Sequence, residues 1–441
     1  MRRYMLGFST ISIFHPLPNH STIFHSPSLS CQQIFPMEEV TKKKSALSFI
    51  FITVLIDVIG LGIIIPVIPN LIQHLANNCT VSQAASYAMW LGVLYASMQF
   101  FFSPVIGALS DRFGRRPVLL IALFGFGADY LFQAFAPTLP WLYVGRTLAG
   151  ITGASITTAM AYISDVSEPE KRAQNFGLVG AAFGIGFIIG PVIGGLVARW
   201  GVKAPFIVAA GFSLLNFIYG YFILPESLKP ENRRAFDWHR IKPGAAVFNL
   251  KRYPKLIGIV TALFLIYVAA FAVQGTWPFY NKEKFHWNET QIGISLGVVG
   301  VMVAIVQGGL IRWAIPKFGQ KKAVYIGLSF YTVGFLLFGL ASQGWMMYAF
   351  TIVYCLGGIC GPALQGIISS EVPANEQGEI QGTLTSLNSF AAIFGPFIMM
   401  GLFSYFTSPK APFYLPGAPY FLATFLTLVS VLLAYKALRK A

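Results

Sequence analysis

Three ionisable residues, Asp57, Asp129 and Arg146, each lie within a long apolar run of the sequence. A charged side chain at the centre of a bilayer costs about 2.5–3.5 kcal/mol on insertion scales, so such residues usually serve a function. Desolvation favours the neutral form of a carboxyl group, whereas a nearby Arg favours the charged form. We predict that both Asp residues carry protons or bind a cationic substrate, with Arg146 tuning one of them. A permanent Asp–Arg structural pair is the alternative.

The runs that contain these residues are long enough to form membrane-spanning helices. The chain is 55% hydrophobic and 11% charged, whereas soluble domains carry roughly 25% charged residues, which excludes a soluble globular class. Crossing the hydrocarbon layer takes roughly 17–25 residues. Twelve such runs are present, with approximate cores at 46–70, 84–109, 117–136, 141–164, 174–198, 204–223, 255–279, 290–314, 323–342, 345–369, 380–406 and 417–437. The predicted fold class is an all-α membrane protein with twelve transmembrane helices in two pseudo-symmetric six-helix bundles.

The predicted organisation is an N-terminal extension at 1–45, a bundle at 46–223, a cytoplasmic linker at 224–254 and a second bundle at 255–441. The extension is interpreted as disordered or over-extended, with a weak signal peptide as the alternative. Three local patterns recur at an offset of 205 residues: Phe113-Gly114 with Phe318-Gly319, Gly177 with Gly382, and Gly190-Pro191 with Gly395-Pro396. Repeated halves of this kind place the substrate site between them in transporters.

The basic residues, which give a net charge of +15, are concentrated in alternate loops. One side carries Lys42, Lys43, Lys44, Arg112, Arg115, Arg116, Lys171, Arg172, Lys229, Arg233, Arg234, Arg240, Lys242, Lys251, Arg252, Lys255, Arg312, Lys317, Lys321, Lys322, Lys436, Arg439 and Lys440. The positive-inside rule makes this side cytoplasmic and places both termini there. Because the clusters are separated by apolar runs, they favour a bilayer and not a nucleic acid as partner. The expected partners are the lipid bilayer and a small molecule, and the expected state is a monomer.

Two glycine-containing segments carry more than topology requires. The first is the link between the second and third runs, where Gly114 can form a tight turn and Asp111 can meet a basic residue or a helix N-terminus. The second lies in the fifth run, where small residues four apart allow another helix to approach closely and Pro191 bends the helix. A simple positive-inside turn and an ordinary packed helix pair are the respective alternatives.

The first segment resembles the signature loop of the major facilitator superfamily, which implies a cytoplasmic gating latch formed by Gly107, Asp111, Arg112, Gly114, Arg115 and Arg116. The second is similar to the motif associated with proton-coupled exporters of that superfamily, formed by Gly186, Gly190, Pro191, Gly194 and Gly195. The segments Asp57 to Pro69, Ser110 to Val118, Asp129 to Leu131 and Gly145 to Ala154 resemble the tetracycline/proton antiporter branch more specifically. That resemblance covers nearly all of the chain after residue 45. It implies exchange of external protons for a cytoplasmic amphiphilic drug across a bacterial-type plasma membrane, with protons as the coupling ion and no cofactor.

The second half departs from the tetracycline pumps. Val303 and Tyr331 occupy the positions where those pumps place an intramembrane His and Asp, so tetracycline itself is in question. Residues that could hydrogen-bond or stack on a neutral or weakly charged solute are Gln99, Gln274, Trp277, Gln307, Gln365 and Asn388. Packing between helices is the alternative for each of them. The acidic links, with Asp165 in the first half and Glu371 in the second, could contact basic loops of the opposite half when the cytoplasmic gate shuts; solvated loop charge is the alternative.

The alternatives to a drug exporter are an importer or facilitator of a metabolite, and a receptor or scaffold that transports nothing. An enzyme is not expected, because the sequence offers no nucleophile with its base, no metal cluster and no Walker loop. The four cysteines lack metal-ligand or redox spacing. The sequence therefore favours a proton-coupled transporter over a catalyst.

Overall fold

The computed structural model describes residues 36–153, 155–167, 172–233, 256–372 and 377–440. Every regular element in these ranges is a helix. The predictions made for residues 1–35 and for most of the linker fall outside the described residues. The helices from Lys43 onward belong to one compact unit.

The first half contains eight described helices joined by short connections. They are α1 (Pro36–Ile64), α2 (Ile68–Leu75), α3 (Val81–Phe113), α4 (Arg115–Phe135), α5 (Leu139–Thr152), α6 (Ser155–Val166), α7 (Arg172–Val197) and α8 (Ala204–Ile223). A 3₁₀ turn at Ile65–Val67 joins α1 to α2, where prolines remove backbone donors. Thr80 begins α3 through a capping box in which it and Gln83 exchange hydrogen bonds of 3.2 and 3.0 Å.

The second half repeats this arrangement. Its helices are α9 (Ile257–Gln274), α10 (Trp277–Phe285), α11 (Glu289–Ile305), α12 (Ile311–Leu340), α13 (Gly344–Leu356), α14 (Cys360–Ser370), α15 (Gln377–Phe406) and α16 (Ala418–Lys440). A π-helical segment at Val306–Leu310 joins α11 to α12. Asn288 and Gln291 form a capping box at the start of α11.

Ten helical stretches within the described residues are long and apolar enough to cross a membrane. One of them, Glu289–Leu340, is 52 residues long, and Gly319 interrupts it with a non-helical backbone. The fourth predicted run is divided between α5 and α6 by residue 154, which is not described. The ten stretches are therefore compatible with twelve crossings.

The offset of 205 residues relates equivalent positions in the two halves. Gly114 and Gly319 both have positive φ, 109° and 74°, and nearly the same ψ, 162° and 161°. Only glycine adopts such a backbone readily, so the same sharp turn follows the same basic segment in each half. Gly190 packs against the backbone of α1, and Gly395 packs against Phe271 of α9, the first helix of the second half. Gly177 and Gly382 lie within α7 and α15.

The halves meet most closely where α3 packs on α15 and α7 packs on α11. Ser82 donates to the carbonyl of Ser404 at 2.5 Å, and Ser404 donates back to the carbonyl of Ser82 at 2.8 Å. Thr290 donates to the carbonyl of Gly195 at 2.8 Å. These residues lie at one end of the molecule, which we call the closed end; the turns at Gly114 and Gly319 lie at the other, which we call the basic end.

Contact between α7 and α11 weakens toward the basic end. A Cβ placed on Gly300 would lie 2.6 Å from Ile188 of α7. At Gly184, one turn further toward the basic end, and at Gly308 in the π-helical segment, an added Cβ would find no heavy atom within 4 Å. Tight packing of these two helices is therefore confined to the closed end.

Candidate functional site

Asp129 is held inside the first bundle by α4 and α5. Its side chain is 2% exposed, and one carboxylate oxygen, Oδ2, accepts a hydrogen bond of 2.8 Å from Gln133 one turn later in α4. Nη1 of Arg146 in α5 lies 3.9 Å from the same oxygen. The second oxygen, Oδ1, is buried beside Gly145 and has no hydrogen-bond partner. Asp129 is therefore neither exposed to lipid nor fully neutralised.

Arg146 connects Asp129 to α3. Its Nη2 donates to Oε1 of Gln133 at 2.8 Å, and its guanidinium carbon lies 5.7 Å from the centre of the Tyr95 ring. Gln99, one turn after Tyr95, contacts the Tyr95 hydroxyl at 3.4 Å and donates to the carbonyl of Gly153 at 2.8 Å. A cation over an aromatic face is attracted by the ring quadrupole, so Tyr95 helps to hold the Arg146 side chain.

Asp57 approaches the same region from α1. Its Oδ1 accepts a hydrogen bond of 3.3 Å from Asn216 of α8, which also donates to the Thr53 carbonyl at 3.0 Å. Asp57, Asp129 and Arg146 all interact electrostatically with Tyr95 and Tyr130. The structure thus brings the three predicted proton-coupling residues into one polar region. We call this region the interhelical network; its members are Asp57, Tyr95, Gln99, Asp129, Tyr130, Gln133, Arg146 and Asn216.

The network contains members that the sequence argument missed. Gln133 and Asn216 are isolated amides within apolar runs, and Gln133 stands one helical turn from Asp129. Residues four apart share a helix face, and this signal could have identified Gln133. Nothing in the spacing along the chain identifies Asn216, because its contact with Asp57 joins helices 159 residues apart.

The predicted gate loop forms a compact ion cluster at the basic end. Arg115 is 10% exposed; its side chain binds Asp111 at 2.6 Å, Asp165 of α6 at 3.0 Å and the Ser110 hydroxyl at 2.9 Å. Asp165 also accepts a hydrogen bond of 3.0 Å from Ser227. In the described conformation Asp165 therefore binds Arg115 of its own half. The expected contact with the opposite half concerns a shut cytoplasmic gate and stays a prediction.

The N-terminus of α4 is capped by a residue that the sequence argument did not select. Glu226 accepts hydrogen bonds from the backbone N–H groups of Arg115 at 2.9 Å and Arg116 at 3.2 Å. A carboxylate at this position satisfies unpaired donors and complements the helix dipole. A Cβ at Gly114 would collide with the Glu226 carboxylate, so glycine is required by both the positive φ and the close approach.

The remaining residues of the gate loop make fewer contacts. Arg112 lies over the ring of Phe113 at 5.1 Å, and Arg116 donates to the Tyr221 carbonyl at 2.6 Å. Gly107 has open space where a side chain would extend. The loop's ion pairs therefore centre on Arg115, and the predicted contact between Asp111 and a basic residue is confirmed.

The glycine motif of α7 packs against two different helices. Added Cβ atoms at Gly186 and Gly190 would lie 2.6 Å from Val58 and 2.7 Å from the Ile59 carbonyl of α1, and Gly194 meets the Ile63 carbonyl. An added Cβ at Gly195 would lie 2.6 Å from the carbonyl oxygen of Glu289 in the other half. The predicted close approach is confirmed, and α7 is wedged between α1 and α11.

The predicted substrate contacts are distributed over both halves. Gln99 belongs to the interhelical network. Gln274, Gln307, Gln365 and Asn388 are exposed, at the end of α9, in the π-helical segment, in α14 and in α15, and Gln365 hydrogen-bonds Tyr267. π-Helical segments occur frequently at functional sites, which favours the region of Gln307.

Trp277 requires a correction. It is 1% exposed, donates its indole N–H to the Ser295 hydroxyl at 2.9 Å and packs edge-on against Phe338. We expected it to contact substrate, but a ring that is covered and hydrogen-bonded in this way belongs to the packed interior of the second half.

The positions where the sequence departs from the tetracycline pumps are apolar or aromatic in their surroundings. Tyr331 packs against Phe335 and Tyr354, and its ring lies against Gly357. Val303 borders the hydrophobic core of the second half. From Ile257 to the C-terminus the sequence contains no Asp.

A cleft of about 650 Å³ lies at the closed end, with Lys282, Lys284 and Tyr414 in its lining. Lys282 lies 3.8 Å from Glu289 and also contacts Asn70 of the first half, so it bridges the halves. Burial lowers the pKa of both Lys282 and Lys284, and Glu289 partly offsets this effect for Lys282. Burial, followed by the nearby Glu283 carboxylate, raises the pKa of Tyr414 to about 12.

No group of His, Cys, Asp and Glu with metal-binding geometry occurs in the described ranges. In the same ranges Cys79, Cys355 and Cys360 form no disulfide. The site itself offers the buried carboxylate of Asp129, the half-buried carboxylate of Asp57, the guanidinium of Arg146 and the amides of Gln99, Gln133 and Asn216.

Comparison with known proteins agrees with this arrangement. The Major Facilitator Superfamily sequence model matches residues 50–396 and 310–440. The class C tetracycline resistance protein of Escherichia coli is 38% identical over 363 residues, which cover 82% of this chain and 91% of that protein. Multidrug resistance protein 2 of Bacillus subtilis is 27% identical, with coverage of 81% and 89%.

A similar fold occurs in an inward-facing, unoccupied bacterial homologue of the human lysosomal transporter Spinster. The TM-score is 0.70 with 13% identity, and the superposition covers 90% of this chain and 97% of that one. By the extent of the sequence match and the agreement of the fold, the chain belongs to the Major Facilitator Superfamily of membrane transporters.

Proposed function

We propose that this protein is a proton-coupled exporter of amphiphilic drugs or small organic solutes that works by alternating access. The observation that carries the proposal is the interhelical network, in which Asp57, Asp129 and Arg146 converge inside the first bundle. Ionisable groups at this depth are costly, and a structural role alone does not require an Asp129 oxygen without a partner. The loading of a proton onto a carboxylate of the network changes the charge that the bundle must accommodate and so shifts the balance between conformations.

The direction and cargo follow from the relatives' names. The matched proteins are called tetracycline resistance and multidrug resistance proteins, which supports outward movement of drugs. In the proposed cycle, protons enter from outside and return to the cytoplasm as the substrate leaves. Tetracycline is not the favoured cargo, because the second half has Val303 and Tyr331 where the pumps carry titratable groups.

The proposed location is a bacterial-type inner membrane, with the basic end and both termini in the cytoplasm and the protein acting as a monomer. The charge of the loops supports this orientation. In that orientation the closed end, where α3 packs on α15 and α7 packs on α11, faces the outside.

Export can be tested in two stages. A host lacking its own pumps would express the protein and be screened for raised resistance to a chemically diverse set of drugs that includes tetracycline and ethidium. The compound with the largest effect would then be followed in inverted membrane vesicles with an acidified lumen. We expect accumulation that requires the proton gradient and is lost in Asp129→Asn.

The control is Glu283→Gln, which makes the same change in charge at a carboxylate of α10 that accepts a hydrogen bond from Tyr414. Both variants would be matched for membrane expression. Resistance to no compound in the set would contradict drug export. Accumulation driven by the opposite gradient would indicate import, and equal transport by Asp129→Asn would remove Asp129 from the coupling mechanism.

A further inference from the structure

Gln133 lies between Asp129 and Arg146 in the interhelical network. Its amide nitrogen donates to Asp129 Oδ2 at 2.8 Å, and its amide oxygen accepts from Arg146 Nη2 at 2.8 Å. A carboxylate can only accept and a guanidinium can only donate, so these neighbours allow a single orientation of the amide. The side chain is 4% exposed, which holds it in place.

The direct contact between Asp129 and Arg146 is longer than a hydrogen bond. Nη1 of Arg146 lies 3.9 Å from Asp129 Oδ2, whereas hydrogen-bonded ion pairs have separations of about 2.7–2.9 Å. Arginine commonly binds a carboxylate through two parallel hydrogen bonds, but here Oδ1 of Asp129 has no partner at all. The amide of Gln133 therefore replaces a direct, bidentate ion pair between Arg146 and Asp129.

We propose that Gln133 is a positioning residue that keeps Arg146 from closing onto Asp129, so that Asp129 can both take up and release a proton. A direct, bidentate ion pair with Arg146 would favour the charged carboxylate of Asp129 throughout the transport cycle. An interposed neutral amide leaves the guanidinium close enough to favour proton release without abolishing proton uptake. The inference rests on the proposed proton coupling and assigns the residue that makes it reversible.

The other titratable groups around Asp129 are few. Tyr130 comes from α4 itself, Tyr95 from α3 and Asp57 from α1, and all three interact with the Asp129–Arg146 pair or lie in the same network. The part of α8 that packs on α4 near Leu214 carries Ser213 and Asn216, which do not titrate. Asp165 of α6 is bound to Arg115 at the beginning of α4, four turns away.

Two substitutions at this position have opposite expected effects. Gln133→Leu retains much of the volume but removes the amide, so Arg146 can pair directly with Asp129 and proton uptake requires a lower pH. Gln133→Glu adds a carboxylate that competes for Arg146 and faces Asp129, so a proton is retained up to a higher pH. Each change should move the midpoint of the pH profile by about one unit, in opposite directions.

The test measures these midpoints in two ways on the purified full-length protein. The first is the pH dependence of proton-driven transport in proteoliposomes, using the compound selected by the resistance screen. The second needs no transport: infrared titration of the protonated-carboxyl band that disappears in Asp129→Asn. Gln73→Leu is the matched control, since Gln73 bonds the Cys79 carbonyl outside the network and should leave both midpoints unchanged.

A structural role for Gln133 predicts a different pattern. Both variants would then lower stability and maximal rate without separating the midpoints, and that result, or shifts of both in one direction, would overturn the proposal. Because the infrared titration is independent of transport, opposite shifts would support the inference even if no drug were exported. Normal proton-driven export with unmoved midpoints would refute the positioning role alone.

Discussion

The contact between Gly195 and Glu289 makes the closed end sensitive to a single methyl group. Gly195 belongs to α7 of the first half and Glu289 begins α11 of the second. A Cβ at Gly195 would lie 2.6 Å from the carbonyl oxygen of Glu289 and 3.0 Å from Cα of Thr290. Because these neighbours are backbone atoms, they cannot turn aside as a side chain would. We predict that Gly195→Ala disfavours the conformation described here and favours one in which the closed end opens.

The size of the effect follows from the overlap. A Cβ in ordinary van der Waals contact lies 3.4 Å or more from its neighbours, so the two backbones must separate by about 0.8 Å. Overpacking of this kind costs about 1–3 kcal/mol. The conformation with an open outer end lacks the contact and escapes the cost, so the ratio of the two populations should change roughly 5- to 150-fold.

Spin labels at the closed end can measure this ratio. Asn78 and Lys410 are exposed on loops of opposite halves, so labels at Asn78→Cys and Lys410→Cys, after replacement of the native cysteines, report the separation of the halves by double electron–electron resonance. We expect Gly195→Ala to increase the population at long distance. Gly211→Ala adds the same methyl group to α8, where nothing lies within 4 Å, and should have no effect. An unchanged distance distribution in Gly195→Ala would show that the tight contact does not control the opening.

Two further predictions concern residues outside the network. Glu226→Gln removes the charge that faces the N-terminus of α4, so the free energy of unfolding should fall by about 1 kcal/mol. The thermal midpoint of this variant should be lower than that of the matched control, Glu231→Gln. Equal midpoints would exclude the charge as a stabilising feature. Burial lowers the pKa of Lys284 in the folded protein below its usual 10.5, so the unfolded chain binds this proton more tightly. The free energy of unfolding should therefore rise with pH between the pKa of Lys284 in the folded protein and 10.5. Lys284→Met should reduce that slope, and Tyr280 would still bond the Phe338 carbonyl; an identical slope would contradict the argument.

Features that depend on nearby residues could be predicted from the sequence. Apolar runs predicted the helices, and Gly114 and Gly319 predicted two equivalent turns because positive φ is a local property. The placement of Asp57, Asp129 and Arg146 within helices also followed from the runs that contain them. Glycine spacing in α7 predicted a close helix neighbour.

Features that depend on contacts between distant helices could not be predicted in the same way. Sequence spacing does not reveal that Glu226 caps α4, because the two are joined through a contact between residues 111 positions apart. Trp277 was misassigned because an aromatic residue near a helix end can face either a cavity or the interior, and only packing decides between them. The pairing of Asp165 with Arg115 could not be predicted either, because this cation comes from another helix of the same half.

The packing also indicates how proton loading, under the proposed function, can reach the closed end. The residues after Asp57 in α1, Val58 and Ile59, are in contact with Gly186 and Gly190 of α7. Five residues after Gly190, Gly195 of the same helix lies against α11 of the other half. Close-packed backbone transmits displacement because it cannot be compressed, so a movement of α1 must be shared by α7 and then by the contact that closes the molecule.

This route joins the charged residues of the first half to a backbone contact between Gly195 of α7 and Glu289 of α11. The second half contributes no Asp after Ile257, and its interior around Tyr331 and Trp277 is a rigid aromatic cluster. A proton taken up by the network therefore changes the electrostatics of one bundle only. The second bundle responds as a packed body through the α7–α11 contact, and for this reason Gly195→Ala should alter the conformational balance without altering the pH at which Asp129 titrates.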